Sequence, residues 1–252
     1  MKHVLAAIVL LLAAAPAIAE EVVADLSRNE VQITANFDGS DILIYGAVSR
    51  EAPQPDTPLD VVVTVSGPSQ PVTVRKKDQR YGIWINTEAV EVDQAPSFYA
   101  VAATGALDQI LTETADLRHK ISIGRAIRSV GAPSTIEDAA RFTDAVIRIR
   151  QDNGLYSRQD NSVALFNNTL FSTTVDLPAN LVEGAYETSI FLLRQGQVID
   201  HYETVINVNK VGLERWIYDL AHQQPLIYGI LSLAIAIAAG WLASAVFRYI
   251  RF

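Results

Sequence analysis

Leu226 to Phe247 is a run of 22 residues without a charge, and it constrains this chain more than any other stretch. A helix of that length rises roughly 33 Å, enough to cross about 30 Å of hydrocarbon. Tyr228 and Tyr249 stand near its ends and Trp241 lies inside it, a partial version of the aromatic belts found at membrane interfaces. Arg248 and Arg251 follow directly, whereas Asp219, Gln223 and Gln224 precede it. Positive residues stay on the cytoplasmic side. We therefore expect a transmembrane helix over 225–247, a cytoplasmic tail over 248–252, and everything earlier on the outer side. Within the span Ser232, Ala236, Gly240 and Ser244 recur every four residues. Such a ridge of small side chains allows close helix approach, and these four are the candidate helix-packing face.

The other end, MKHVLAAIVLLLAAAPAIA, has Lys2 in a short positive region, an apolar stretch from Val4 to Ala15, and a small-x-small triplet at Ala17-Ile18-Ala19. That pattern predicts a cleaved signal peptide over 1–19, with Glu20 as the mature N-terminus. It implies the same orientation as the arginines do. Setting aside Lys2, Arg248 and Arg251 leaves 17 basic residues against 28 acidic ones between 20 and 224, a net charge of −11. So acidic a body is a poor partner for nucleic-acid phosphate or an anionic lipid surface. With no cysteine in the chain, neither disulfides nor thiolate chemistry can contribute.

From Glu21 onward short β-rich runs alternate with turn formers: VVADL, VQITANF, DILIYGAVS, LDVVVTVSG, VTVRKK, YGIWIN and SFYAVAAT. Leu59, Val61, Val63 and Val65 fall on one face of their strand, opposite Asp60, Thr64 and Ser66, the pattern of a half-buried strand. Seven short strands in succession predict an immunoglobulin-like β-sandwich module over 20–128. Next, Ser134 and Glu137 are spaced as a capping box, and Ala139, Phe142, Val146 and Ile149 recur at helical spacing up to Gly154. We read an inserted or bracing helix. Strands return in LFSTTVDL, AYETSIFLL and QVIDHYETVINVN, predicting a second β module within 129–210. The link LPANLVEGAY places Tyr186 as a tyrosine corner would, with a weaker copy at Tyr99, and Arg194-Gln195-Gly196-Gln197 reads as a hairpin turn. A juxtamembrane amphipathic helix is expected over 211–224, broken from the span at Pro225. The fold class is thus mainly β, one or two sandwich modules plus a single C-terminal transmembrane helix.

The sequence contains no nucleophile elbow, dinucleotide-binding glycine motif or P-loop, and no histidine pair at metal-binding spacing. Asp200 and His201 are strand neighbours and should point to opposite faces, leaving His201 as a surface residue. Arg75, Lys76, Lys77 and Arg80 form a basic cluster, read as a turn between strands that could meet an acidic partner or lipid head groups. No catalytic, cofactor-binding or metal residue is singled out.

The blocks VQITANFDGSDILIYGAV, VRKKDQRYGIWINTEAVEVDQAPSFYAVAAT, LPANLVEGAYETSIFLLRQGQVI and PLIYGILSLAIAIAAGWLASAVFRYIRF resemble those of the alphaproteobacterial putative transmembrane protein family. The resemblance implies an inner-membrane protein with a periplasmic domain and carries no activity with it. Its members tend to be encoded near exporters of the sulfite and sulfonate type. We therefore expect a membrane-anchored periplasmic accessory or binding protein without catalysis or cofactor. Its partners would be the lipid bilayer and another inner-membrane protein such as an exporter, or a second copy of itself, and not nucleic acid. The alternative is an enzyme using carboxylates such as Asp41, Glu88 or Glu91 between the β modules.

Overall fold

The alternation of apolar residues and turn formers gives a mainly β chain ending in one long apolar helix. The computed structural model describes residues 20–34, 36–51, 53–129 and 140–250. The signal peptide 1–19, the capping box of Ser134 and Glu137, Ala139 and Arg251 therefore lie outside the described residues. Two compact units result: Met1–Val31 with Asp38–Asn207, and Gln32–Phe37 with Val208–Phe252.

The strands run β1 (Glu20–Leu26), β2 (Glu30–Ile33), β3 (Ser40–Arg50), β4 (Leu59–Ser66), β5 (Ser69–Arg80), β6 (Ile83–Pro96) and β7 (Tyr99–Ala103). After four helices come β8 (Tyr156–Gln159), β9 (Ala164–Phe166), β10 (Leu170–Leu177), β11 (Gly184–Arg194) and β12 (Gln197–Lys210). One sheet has the order β1-β3-β10-β9, a second β2-β12-β11-β4-β7-β8, and β5 pairs with β6 alone. Strands from the two stretches read as modules, 20–128 and 129–210, share both sheets. β3 pairs with β10 (Ile44 opposite Thr173), and β4 pairs with β11 (Val63 opposite Ile190). Period-two patterning states which face of a strand is buried but not which strand lies beside it.

The β7–β8 pair is parallel, Tyr99 opposite Tyr156. Parallel neighbours need a long crossover. Here it holds α1 (Leu107–Ile110), α2 (Glu113–His119), α3 (Ile123–Ala126) and α4 (Ala140–Asp152). Helix α4 buries Phe142 and Val146 as its periodicity predicts, but Ile149 is exposed, because the helix turns its last apolar position away from the sheet. It stops at Gly154, which takes a φ of 70°. Leu155 N–H bonds to the Arg150 carbonyl and Gly154 N–H to that of Gln151, closing a Schellman motif.

Strand β4 departs from its half-buried reading. Val61, Val63 and Val65 are buried on one side, while Val62 and Thr64 are buried on the other. Val62 joins Val101, Phe191 and Leu193 in a cluster with Leu107, Ile121, Ile127 and Val146 of the crossover. The helical layer thus covers a face that the sequence pattern assigns to solvent. Strand β11 is buried on both faces in the same way, from Ile190 to Leu193.

Tyr186 behaves as its motif predicts. It is fully buried, and its hydroxyl donates to the Val182 carbonyl at 2.7 Å. Tyr99 does not repeat the arrangement: its hydroxyl reaches forward to the Ile121 carbonyl at 2.9 Å and so pins the α2–α3 connection. The β11–β12 turn forms as expected, with Gln195 and Gly196 at φ of 51° and 76°. In contrast, the basic run is not a turn. Arg75, Lys76, Lys77 and Arg80 lie within β5, and the turn is Tyr81-Gly82.

In the second unit, α5 (Leu213–Gln223) and α6 (Pro225–Ile250) separate at Gln224, whose φ of −137° is not helical. Proline at the first position of α6 lacks the N–H that would otherwise continue the ladder from α5. The apolar stretch of α6, Pro225–Val246, has a mean hydropathy of 2.1 and is not buried by protein.

A buried ion cluster joins the two sheets of the first unit. The Glu20 carboxylate receives Arg50 Nε at 2.5 Å and Arg194 Nη2 at 2.6 Å. Arg50 continues to the Asn168 carbonyl, and Arg194 to Thr57 Oγ1 at 2.8 Å. Burial pushes the Glu20 carboxyl upward, but hydrogen bonds from both guanidiniums outweigh it and hold the group below its ordinary value of 4.5. Its stabilising contribution is therefore complete above that value and is lost as pH falls through the lower folded one. Glu20→Gln strands two buried guanidiniums and should destabilise the protein by about 3–5 kcal/mol at neutral pH. Denaturant unfolding of the detergent-solubilised chain should show this difference narrowing toward acid pH.

Candidate functional site

The helical layer does not cover the whole face of the six-stranded sheet. Where it ends, a groove of about 380 Å³ opens within the first unit. Its floor comes from alternate residues of neighbouring strands: Thr64 and Ser66 of β4, Glu187, Ser189 and Phe191 of β11, and His201 and Glu203 of β12. The end of α2 supplies Arg118 and His119, followed by Lys120.

Local chemistry explains how α2 is held there. Thr112 caps its start, accepting from Ala115 N–H, and donates its own hydroxyl to the Gly196 carbonyl at 2.8 Å. The helix is thereby anchored on the β11–β12 turn. Its far end closes at Lys120, which takes a left-handed conformation with φ of 54° and returns its N–H to the Asp116 carbonyl. The Asp116 carboxylate receives both the N–H and the hydroxyl of Ser122 at 2.7 Å. Arg118 and His119 stand in the last turn, where cations complement the helix dipole.

Three rings meet at the groove. Phe191 stacks on His201 with ring centres 6.3 Å apart and an angle of 16°, and meets His119 at 5.8 Å and 65°. The two imidazoles are 6.1 Å apart. His201 is therefore more than the isolated surface histidine its strand position suggests. Asp200 does turn to other partners, accepting from Val22 N–H at 2.8 Å. Sequence separation hides the pair of histidines, because the crossover and the β11–β12 turn bring them together. The one legible signal is the placement of His119 beside Arg118 and Lys120 at a helix end.

His201 Nε2 lies 4.0 Å from Glu203 Oε1, beyond the reach of a hydrogen-bonded acid–base pair. Among the described residues no group of three histidine, cysteine or acidic side chains is arranged to bind a metal. The volume falls in the range of small-ligand pockets, yet the lining is rich in hydroxyls and charge. Cations Arg118 and Lys120 line it together with the carboxylates Glu187 and Glu203.

The carboxylates considered for catalysis are scattered. Asp41 is on β3, opposite Asp176 of β10, whereas Glu88 and Glu91 are on β6. Glu88 pairs with Lys76 at 3.4 Å in solvent, and none of the three lines the groove. Ser232, Ala236, Gly240 and Ser244 are all exposed on α6. The Ser232 hydroxyl turns back to the Tyr228 carbonyl at 2.9 Å, which satisfies it within its own helix.

Burial first, then the neighbouring His201 and Arg118, hold His119 below the ordinary histidine value of 6.5. The neutral ring is therefore favoured in the folded protein, and this contribution fades as pH falls through the folded value. Ring-proton NMR should give His119 a midpoint under 6.5, and His201→Gln should move it upward. A midpoint at or above 6.5 contradicts the packing described.

No curated protein matches the chain. Residues 21–249 match the family described as Putative transmembrane protein (Alph_Pro_TM). That span runs from the first strand through the apolar helix, and the chain is a member of this alphaproteobacterial family.

Proposed function

We propose that this chain is a non-catalytic binding protein, held in the inner membrane by α6 with its β body in the periplasm. In this reading it serves another membrane protein, such as an exporter, by taking a polar segment of that partner into the groove. The observation that carries the proposal is the groove itself: a three-ring floor with cations and carboxylates along one open cleft. A polypeptide segment bearing both signs of charge matches that lining, with stacking on the rings and hydrogen bonds to Ser189 and Thr64. Arg248 and Arg251, which follow the uncharged run in sequence, and the apolar N-terminal stretch support the orientation. Ser232, Ala236, Gly240 and Ser244 are the face through which α6 would pack on the partner's helices, or on a second copy.

A photocrosslinking side chain at Ser189 in the full chain, expressed in native membranes, should form an adduct with one discrete membrane protein. The adduct should be lost when Arg118→Glu and Glu203→Lys are combined. Cysteines at 236 and 240, in a chain that has none of its own, should crosslink to that same protein or to a second copy. Adducts with lipid alone at all these positions would overturn the partner reading. Turnover of a small molecule that depends on His119 or His201 would overturn the non-catalytic one. Protease added to intact spheroplasts should digest the β body, and protection there would reverse the proposed orientation.

A further inference from the structure

The distal half of the β5–β6 hairpin stands apart from every core in the described chain. Its inner half is packed, with Val90 and Val92 buried, but residues 75–86 are exposed without exception. An isolated two-stranded hairpin gains little stability in water, so a large apolar tip on one calls for an explanation. Tyr81 is wholly exposed, and Ile83 and Trp84 are each 66% exposed, with Ile85 beside them.

The turn itself is unusual in composition. Tyr81 and Gly82 have φ of 53° and 80°, a two-residue turn with both residues left-handed. Asparagine or aspartate before glycine satisfies such a turn best, and a bulky aromatic there is strained. Tyr81 therefore weakens the turn it sits in while presenting a ring at the outermost point.

Register decides what kind of partner fits. Arg80 faces Ile83 and Asp78 faces Ile85 across the pair, whereas the adjacent pair Gln79–Trp84 points to the opposite side. The tip is thus apolar on both sides of the ribbon. A protein groove or a sheet edge would cover one side only, but a fluid interface surrounds such a tip. Behind it stand Arg75, Lys76 and Lys77, with Lys77 roughly 13 Å along the strand from Tyr81. With Arg80 they outnumber Asp78 and Glu88, in a body whose net charge is −11. That spacing lets aromatic and isoleucine side chains reach the boundary between head groups and acyl chains while the cations lie among phosphates. Unpaired backbone groups along both hairpin edges limit the depth to this interfacial zone. The apolar span of the same chain keeps a bilayer permanently at hand, so even weak docking is effectively intramolecular.

From this we infer that the Tyr81-Gly82 hairpin tip is a second membrane contact, docking on anionic phospholipid through Tyr81, Ile83, Trp84 and Ile85 with Arg75, Lys76, Lys77 and Arg80 behind.

The cysteine-free chain makes the test direct. Full-length Ile83→Cys and, as a control, Thr174→Cys on exposed β10 are labelled with a polarity-sensitive fluorophore and placed in nanodiscs. The discs contain phosphatidylcholine alone, or with phosphatidylglycerol, plus lipid spin-labelled near the head group. The label at 83 should be quenched in anionic discs while that at 174 is not. Arg75→Gln, Lys76→Gln and Lys77→Gln should each weaken docking about fivefold. Equal quenching in neutral discs would overturn the assignment to anionic lipid. A water-exposed label at 83 in both discs would overturn the membrane contact, and shielding there only when a second protein is crosslinked would assign the tip to that partner instead.

Discussion

The central strands β4 and β11 carry apolar side chains on both faces, and most of the architecture follows from having to cover both. One face is buried through Val61, Val63, Ile190 and Leu192, the other through Val62, Phe191 and Leu193. A sheet with two apolar faces requires two covering layers. The second layer is the β7–β8 crossover, and parallel pairing of those strands is what forces the chain to make that long excursion. The groove is where this layer stops and the sheet face turns from valine and leucine to threonine, serine and glutamate.

This explains how far the sequence could be read. The span, the strand-rich body, the Tyr186 corner, the β11–β12 turn and the break at Pro225 are local: each depends on residues within a few positions of one another. What lay beyond reach is non-local. Nothing in Val62 or Phe191 states that a helix segment near residue 121 will cover them, and nothing in His119 states that His201 will lie beside it. The basic run lies in β5 instead of in a turn for a related reason. Charged residues usually mark turns, but a protruding ribbon keeps both faces wet and lets a strand carry them.

Two kinds of charge organisation coexist in the body. The Glu20 cluster is buried, is fully hydrogen-bonded and welds sheet to sheet. The groove and the hairpin instead hold their charges in or near water, where they contribute little to stability.

The reach of the Glu20 cluster along the chain has a kinetic consequence. Its first member opens β1 and its last closes β11, so a polypeptide delivered from its N-terminus offers Glu20 no Arg194 until nearly the entire body has emerged. Although β1 finds β3 early, β3 and β4 must each wait on one edge for β10 and β11, as high contact order demands. Completion of the cluster is then a late event, and a ribosome stalled before β11 would leave Glu20 without Arg194 and β4 with one open edge.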